Sequence, residues 1–188
     1  MNYKEKELVF TEHSIHFSEG EDYNSYVMMD WEDSIMEASA NYICEGGGDI
    51  LELGFGMGIS ANYIQVNNID SHTIVEIHPD ILNNAYAWAE GKANVSIVAG
   101  DWYSSLNLLT KYDGILLDTY GDKNIYKFKD VIASLSKPGC KITWWNNSEK
   151  ENTNTLDIED VTYEALSINP PTNDYFNNSI YYLPKKQF

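Results

Sequence analysis

The most constraining stretch of this chain is a short apolar run that ends in three closely spaced glycines. Asp49 to Leu53 (DILEL) reads as a buried strand, Gly54-Phe55-Gly56-Met57-Gly58 turns the chain, and ISANYIQ then continues with helical spacing. A strand that turns this sharply into a helix belongs to a layered α/β sheet. Gly54 and Gly56 permit the turn and let a ligand approach the backbone, while Gly58 lets the helix pack close to the strand. The glycines stand two apart, unlike the G-x-G-x-x-G of dinucleotide sites, and Glu52 heads the motif. A second acid, Glu76, ends the next strand 22 residues past Gly54, where a carboxylate can accept from both hydroxyls of a ribose.

The alternation continues. Thr73 to Ile77, Val95 to Ala99, Tyr112 to Asp118 and Lys141 to Trp145 read as strands two to five. Helices are expected over DILNNAYAWAEG after Pro79, around Tyr103 to Leu109, and from Tyr126 to Leu135. KPG at 137–139 reads as a turn. VTYEALSI and SIYYLP, joined by Asn- and Pro-rich sequence, read as a terminal antiparallel pair. Residues 1–47 do not follow the alternation. They hold one helix, about Trp31 to Ile43, preceded by an aromatic and acidic segment suited to cover the ligand edge of a parallel sheet. The 188 residues are expected to form one domain, with 1–47 as a helical lid and 48–188 as the core.

Charge narrows the ligand. The formal net charge is −17, from 29 acidic and 12 basic residues, and all of the basic ones are lysine. Such a surface repels phosphate backbones and lacks the forked guanidinium that grips them, which argues against a nucleic-acid substrate. The same field favours a small cationic partner. No apolar run is long enough to span a bilayer, and MNYKEKELVF does not read as a secretory leader, so a cytoplasmic location and no membrane partner are expected. Cys44 and Cys140 match no metal or redox spacing and read as buried thiols. His13 and His16 lack a third ligand at useful spacing, so no metal is expected.

The E-x-G-x-G-x-G run with its downstream acid resembles the Rossmann-like methyltransferases that use S-adenosylmethionine. Gly100-Asp101-Trp102 ends the third strand, where such enzymes place the adenine; Asp101 would accept from its amine and Trp102 would flank its ring. Asp118-Thr119-Tyr120 ends the fourth strand, the position that faces the methyl group in this fold. A carboxylate there points to a cationic nitrogen acceptor.

The resemblance then becomes narrower. Val27-Met28-Met29-Asp30-Trp31-Glu32 with Met36, LGFGMG at 53–58, IDSH at 69–72, Gly-x-Trp at 100–102 and YDGILLDTY at 112–120 resemble two related groups. These are the guanidinoacetate N-methyltransferases and the fungal delta-nitrogen arginine methyltransferases. The likeness runs from about Tyr26 to Asn147 and weakly on through PPTNDYF. It implies that Glu32 and Asp118 grip a guanidino group, with Asp118 taking the proton released as nitrogen attacks. Two carboxylates suit a planar cation that donates several hydrogen bonds in one plane. The resemblance also places Met28, Asn147 and Ser148 at the acceptor. At the cofactor it places Met36, Leu53, Gly54, Phe55, Gly56, Met57, Gly58, Glu76, Ile77, Asp101 and Trp102. His78 follows Glu76 closely enough to join them. Tyr23, Tyr26, Trp31, Tyr120, Trp144 and Trp145 are candidate aromatic walls around a cation.

Two departures matter. SEKENTNTLDIED is short and polar where the creatine-forming enzymes carry an apolar helix, so one sheet face is expected to be thinly covered and a homodimer becomes possible. VMMDWE and HPD lean toward the arginine-modifying relatives, which act on peptidyl arginine, although their extra recognition domain has no counterpart in this sequence. The leading expectation is methyl transfer to a free guanidino compound such as guanidinoacetate, for creatine biosynthesis. Arginine methylation on a protein, a catalytically idle adenosylmethionine binder and an aminopropyl transferase are the alternatives.

Overall fold

The computed structural model describes residues 3–19, 25–148, 154–171 and 175–188. The parallel sheet forms as expected. Strands β4 (Asp49–Leu53), β5 (Ser71–Glu76), β6 (Val95–Ala99), β7 (Tyr112–Leu117) and β8 (Ser136–Trp144) lie in the order β6-β5-β4-β7-β8. The order continues through β10 (Ile180–Gln187) to β9 (Thr162–Ser167), with β10 antiparallel to both neighbours. The chain leaves β4 in one direction for β5 and β6 and returns on the other side with β7, so the switch point lies between β4 and β7. That crevice is where an open α/β sheet holds its ligand.

Strand alternation sorts the core into two layers. Leu51, Leu53, Ile115 and Leu117 point to one face and pack with Phe128, Ile132 and Leu135 of helix α4 (Phe128–Leu135). The opposite face meets α1 (Asp33–Cys44), α2 (Ile59–Val66) and α3 (Pro79–Ala89) through Ala40, Ile43, Ala61, Ile64, Ile81 and Ala85. Cys44 and Cys140 are free and buried, and burial pushes their thiols up to about 12 and about 11. Among the described residues, no helix is long and apolar enough to cross a membrane, and no group of three metal-ligating side chains gathers.

Four local expectations change. The N-terminal cover is a sheet before it is a helix: β1 (Leu8–Phe10), β2 (Ser14–Phe17) and β3 (Tyr26–Met29) form an antiparallel trio. Its signal was the alternation in SIHF, where Ile15 and Phe17 are buried, but runs of three and four residues are too short to separate from loop. One turn of 3-10 helix at Asp30–Glu32 then leads into α1. The helix expected around Tyr103 to Leu109 is reduced to a single 3-10 turn at Leu106–Leu108, because Leu106 and Leu109 pack inward while Leu108 stays exposed. KPG does not separate two elements: it lies inside β8, where Gly139 takes φ 85° and the register with β7 shifts. Finally, the polar stretch after β8 supplies Leu156 and Ile158, both buried in the α4 layer, so that face is better covered than its sequence suggested.

Candidate active site

The carboxyl ends of the five parallel strands open into one cavity of about 550 Å³, within the range of small-molecule sites. From β4 come Gly54, Phe55 and Gly56; from β5, Glu76 and Ile77; from beyond β6, Asp101 and Trp102; from β7, Asp118. The N-terminal trio adds Met28 and Tyr26 from above, Glu32 follows it, and Trp145 and Asn147 come from the end of β8.

The glycine turn is dictated by close approach. Gly54 takes φ 96°, and a Cβ there would lie 1.9 Å from the carbonyl oxygen of Asp118. The N–H of Asp118 donates to the Leu53 carbonyl at 2.9 Å, so the ends of β4 and β7 are locked together at this glycine. Gly56 takes φ 53°, and its Cβ would meet the Met28 sulfur at 2.5 Å. Met57 N–H donates to that sulfur at 3.2 Å, which fastens the N-terminal cover onto the turn.

Glu76 is buried and already occupied. Its Oε2 accepts the Phe55 N–H at 2.9 Å, and its Oε1 accepts the N–H groups of Ile77 and His78, each at 2.7 Å. A carboxylate offers about four acceptor positions, so these three donors leave about one for a ligand hydroxyl. Asp101 accepts from Ser104 N–H at 2.8 Å and from the Asn124 amide at 3.2 Å. Trp102 lines the cavity, while its ring packs edge-on against Tyr103 and Phe128 and its N–H donates to Asp122 at 2.6 Å.

Asp118 is the perturbed carboxyl of the site. Burial, followed by the fields of Glu52 and Glu76, pushes it up to about 7. Glu52 lies fully buried beneath the turn, accepting from the Ser60 hydroxyl and paired with His72 Nε2 at 3.0 Å. Its contribution is charge rather than contact. Glu32 is buried at the far side, its Oε1 accepting the Met29 N–H at 2.8 Å and the Tyr175 hydroxyl. Glu32 and Asp118 both line the cavity, and the buried Tyr181 hydroxyl is pushed well up chiefly by burial and additionally by the fields of these two carboxylates.

Not every expected residue is there. Met36 and Leu53 are buried in the core, and Met57 and Gly58 support the turn without lining the cavity. His78 faces away. Its Nδ1 accepts the Asp80 N–H and caps α3, and its Nε2–H donates to the Lys6 carbonyl at 2.9 Å. His78→Ala should therefore lower stability in urea denaturation by about 1–3 kcal/mol, through the lost cap and the stranded Lys6 carbonyl. Unchanged stability with weakened ligand binding would return His78 to the site. Ser148 donates its N–H to Asn146 and is absent from the lining. Of the aromatic candidates, Tyr26, Tyr120 and Trp145 line the cavity, Trp31 stacks behind Tyr175, and Trp144 is core. Tyr23 lies outside the described residues.

Several lining residues carried no readable signal. Tyr3 and Lys6 arrive from the 3-10 turn at Tyr3–Glu5 and the residue after it, Phe17 from β2, and Tyr175 from the connection between β9 and β10. Thr119, Asp122 and Asn124 could have been suspected from the polar turn after the fourth strand.

Residues 14–164 match the guanidinoacetate N-methyltransferase family. The chain belongs to that family. It is one of S-adenosylmethionine-dependent methyltransferases, and the cavity fits such a cofactor: a positive-φ glycine turn, a carboxylate at the end of β5 and a second at the end of β6 surround it. The chain is 30% identical, over 99% of its length, to protein arginine N-methyltransferase 2 of Kluyveromyces lactis, of which it covers 53%. It is 34% identical to the Saccharomyces cerevisiae protein of the same name, over 86% of this chain and 47% of that one. The chain thus spans about half the length of these relatives. In fold it is similar to the N-methyltransferase NodS from Bradyrhizobium japonicum, solved with S-adenosyl-L-homocysteine, at TM-score 0.66 and 14% identity over 84% of this chain and 87% of that one.

Proposed function

We propose that this chain transfers a methyl group from S-adenosylmethionine to a guanidino nitrogen of arginine in a protein or peptide. The observation that carries the reading is the acceptor end of the cavity. Glu32 and Asp118 come from separate elements to line the same cavity as Trp145, Tyr175 and Asn147. The only described basic side chains that line the cavity are Lys6, just after the 3-10 turn at Tyr3–Glu5, and Lys123, in the turn after β7. An acidic and aromatic subsite suits a guanidinium whose other end carries no charge, as in a peptide. The names of the relatives support the same choice.

When bound, the sulfonium supplies an electrophilic methyl group. The residues of the chain do the rest. Gly54, Phe55 and Gly56 would present their backbone to the cofactor, Glu76 would accept from its ribose, and Asp101 from its adenine. Glu32 and Asp118 meet the N–H groups of the acceptor and hold its plane. The nitrogen that takes the methyl group would give up its proton to an Asp118 oxygen. A carboxyl held near 7 is suited to accept it at neutral pH.

The deciding assay is labelled methyl transfer to arginine-containing peptides and to free guanidino compounds. Peptides should be preferred. Guanidinoacetate turned over faster than every peptide would favour the free-metabolite reading, for which Asn147 at the cavity is the supporting feature. Glu32→Gln should raise the acceptor KM by about ten- to a hundredfold, the value of a hydrogen bond to a charged group, with cofactor affinity nearly unchanged. Parent-like turnover in that variant would remove the two-carboxylate grip.

A further inference from the structure

Glu32 is held from two directions. The Met29 N–H that its Oε1 accepts is local and belongs to the same helical turn. The Tyr175 hydroxyl that reaches the same oxygen comes from 143 residues away. Two donors on one oxygen fix the plane of a carboxylate that would otherwise turn about three side-chain bonds. The Tyr175 ring is itself fixed: it lies 5.6 Å from Trp31 and 6.2 Å, edge-on, from Trp145. Trp145 in turn leans on Tyr181 at 5.3 Å, and the Tyr181 hydroxyl accepts the Asn146 backbone N–H at 2.7 Å. Tyr175 and Trp145 both face the cavity beside Glu32.

We propose that Tyr175 is a positioning residue for the acceptor: its hydroxyl aims the Glu32 carboxylate, and its ring completes the aromatic wall along which a planar cation lies. The proposal rests on the methyl-transfer reading above for the identity of the acceptor. It assigns a task to the segment between β9 and β10, which makes the C-terminal pair part of the acceptor subsite as well as an edge of the sheet. It also separates the roles of the two carboxylates. Glu32 is tied down from outside the nucleotide half of the cavity, so it orients, whereas Asp118 sits at the strand end and receives the proton.

Tyr175→Phe keeps the ring and removes only the hydroxyl. It should raise the KM for the guanidino acceptor by about tenfold or more while leaving the affinity for S-adenosylhomocysteine within about twofold. On a Glu32→Ala background the same change should add nothing, because the two act as one unit. A KM equal to the parent's, or the same loss on both backgrounds, overturns the proposal. Should the parent methylate no guanidino acceptor, the reading of its function fails, and the link is then scored by urea denaturation. Tyr175→Phe should lower the midpoint of the parent and leave that of Glu32→Ala unmoved; equal shifts would show that Tyr175 acts as packing alone. If Glu32→Ala does not fold, Glu32→Leu supplies the background without an acceptor oxygen.

Discussion

Asp118→Asn should slow methyl transfer by roughly 10²–10⁴-fold, the range for loss of a positioned general base. The amide keeps the shape and one acceptor oxygen, so acceptor binding should fall less than the rate. Cofactor affinity should hold if Asp118 faces the acceptor, as the proposed function requires. The parent's pH profile gives a second readout. Because burial and the fields of Glu52 and Glu76 raise this carboxyl to about 7, kcat/KM should climb with pH and level off above that value. Cationic ligands stabilise the carboxylate, so the kcat limb should lie lower than the kcat/KM limb. The variant should lack both limbs. Single-turnover rates at saturating acceptor, equal in variant and parent across pH, would assign the proton to water or another group.

The same carboxyl predicts a stability effect of opposite sign. A folded-state value near 7 against about 3.9 in the unfolded chain means that the folded state binds the proton more tightly. That contribution is fully present below about pH 4 and is lost as pH rises through 7. Asp118→Asn cannot ionise, so it should be more stable than the parent at pH 8, by up to about 4 kcal/mol, with the gain vanishing near pH 4. Urea denaturation of the ligand-free protein at both pH values measures it.

The parallel core was legible because each strand is a short apolar run closed by a turn residue, and β4, β6 and β7 fall within a residue of their expected bounds. The strand ends fixed which acids could meet, so Glu76, Asp101 and Asp118 could be placed on one edge before any coordinates. Motif adjacency did not bring every expected residue to the cavity. His78 is two residues from Glu76, yet the chain reverses into α3 there, and the ring is more useful as a cap than at the ligand. Met36 follows Glu32 by one helical turn, which puts it on the buried side of α1. Tyr175 was invisible for a different reason: its partner is distant in sequence, and no local pattern records a single long-range hydrogen bond.

Glu76→Ala should weaken cofactor binding by about a hundredfold or more. The methyl side chain removes a charge-assisted acceptor for the ribose, worth about 1.5–3 kcal/mol, and leaves three N–H groups without their acceptor, two of them buried at a cost of about 1–3 kcal/mol each. The two losses differ in kind. The first is felt only when ligand is present; the second is felt in the folded protein alone, since Phe55, Ile77 and His78 lose the acceptor that shapes the glycine turn and the entry to α3. Calorimetry with S-adenosylhomocysteine and urea denaturation without it therefore separate them. Glu76→Gln is the sharper companion, because it restores one acceptor oxygen but turns an amide donor toward N–H groups that already donate. Both variants should lose affinity and stability together. A fall in stability with affinity intact would mean that Glu76 serves only to build the turn, and that the ribose is held by other groups.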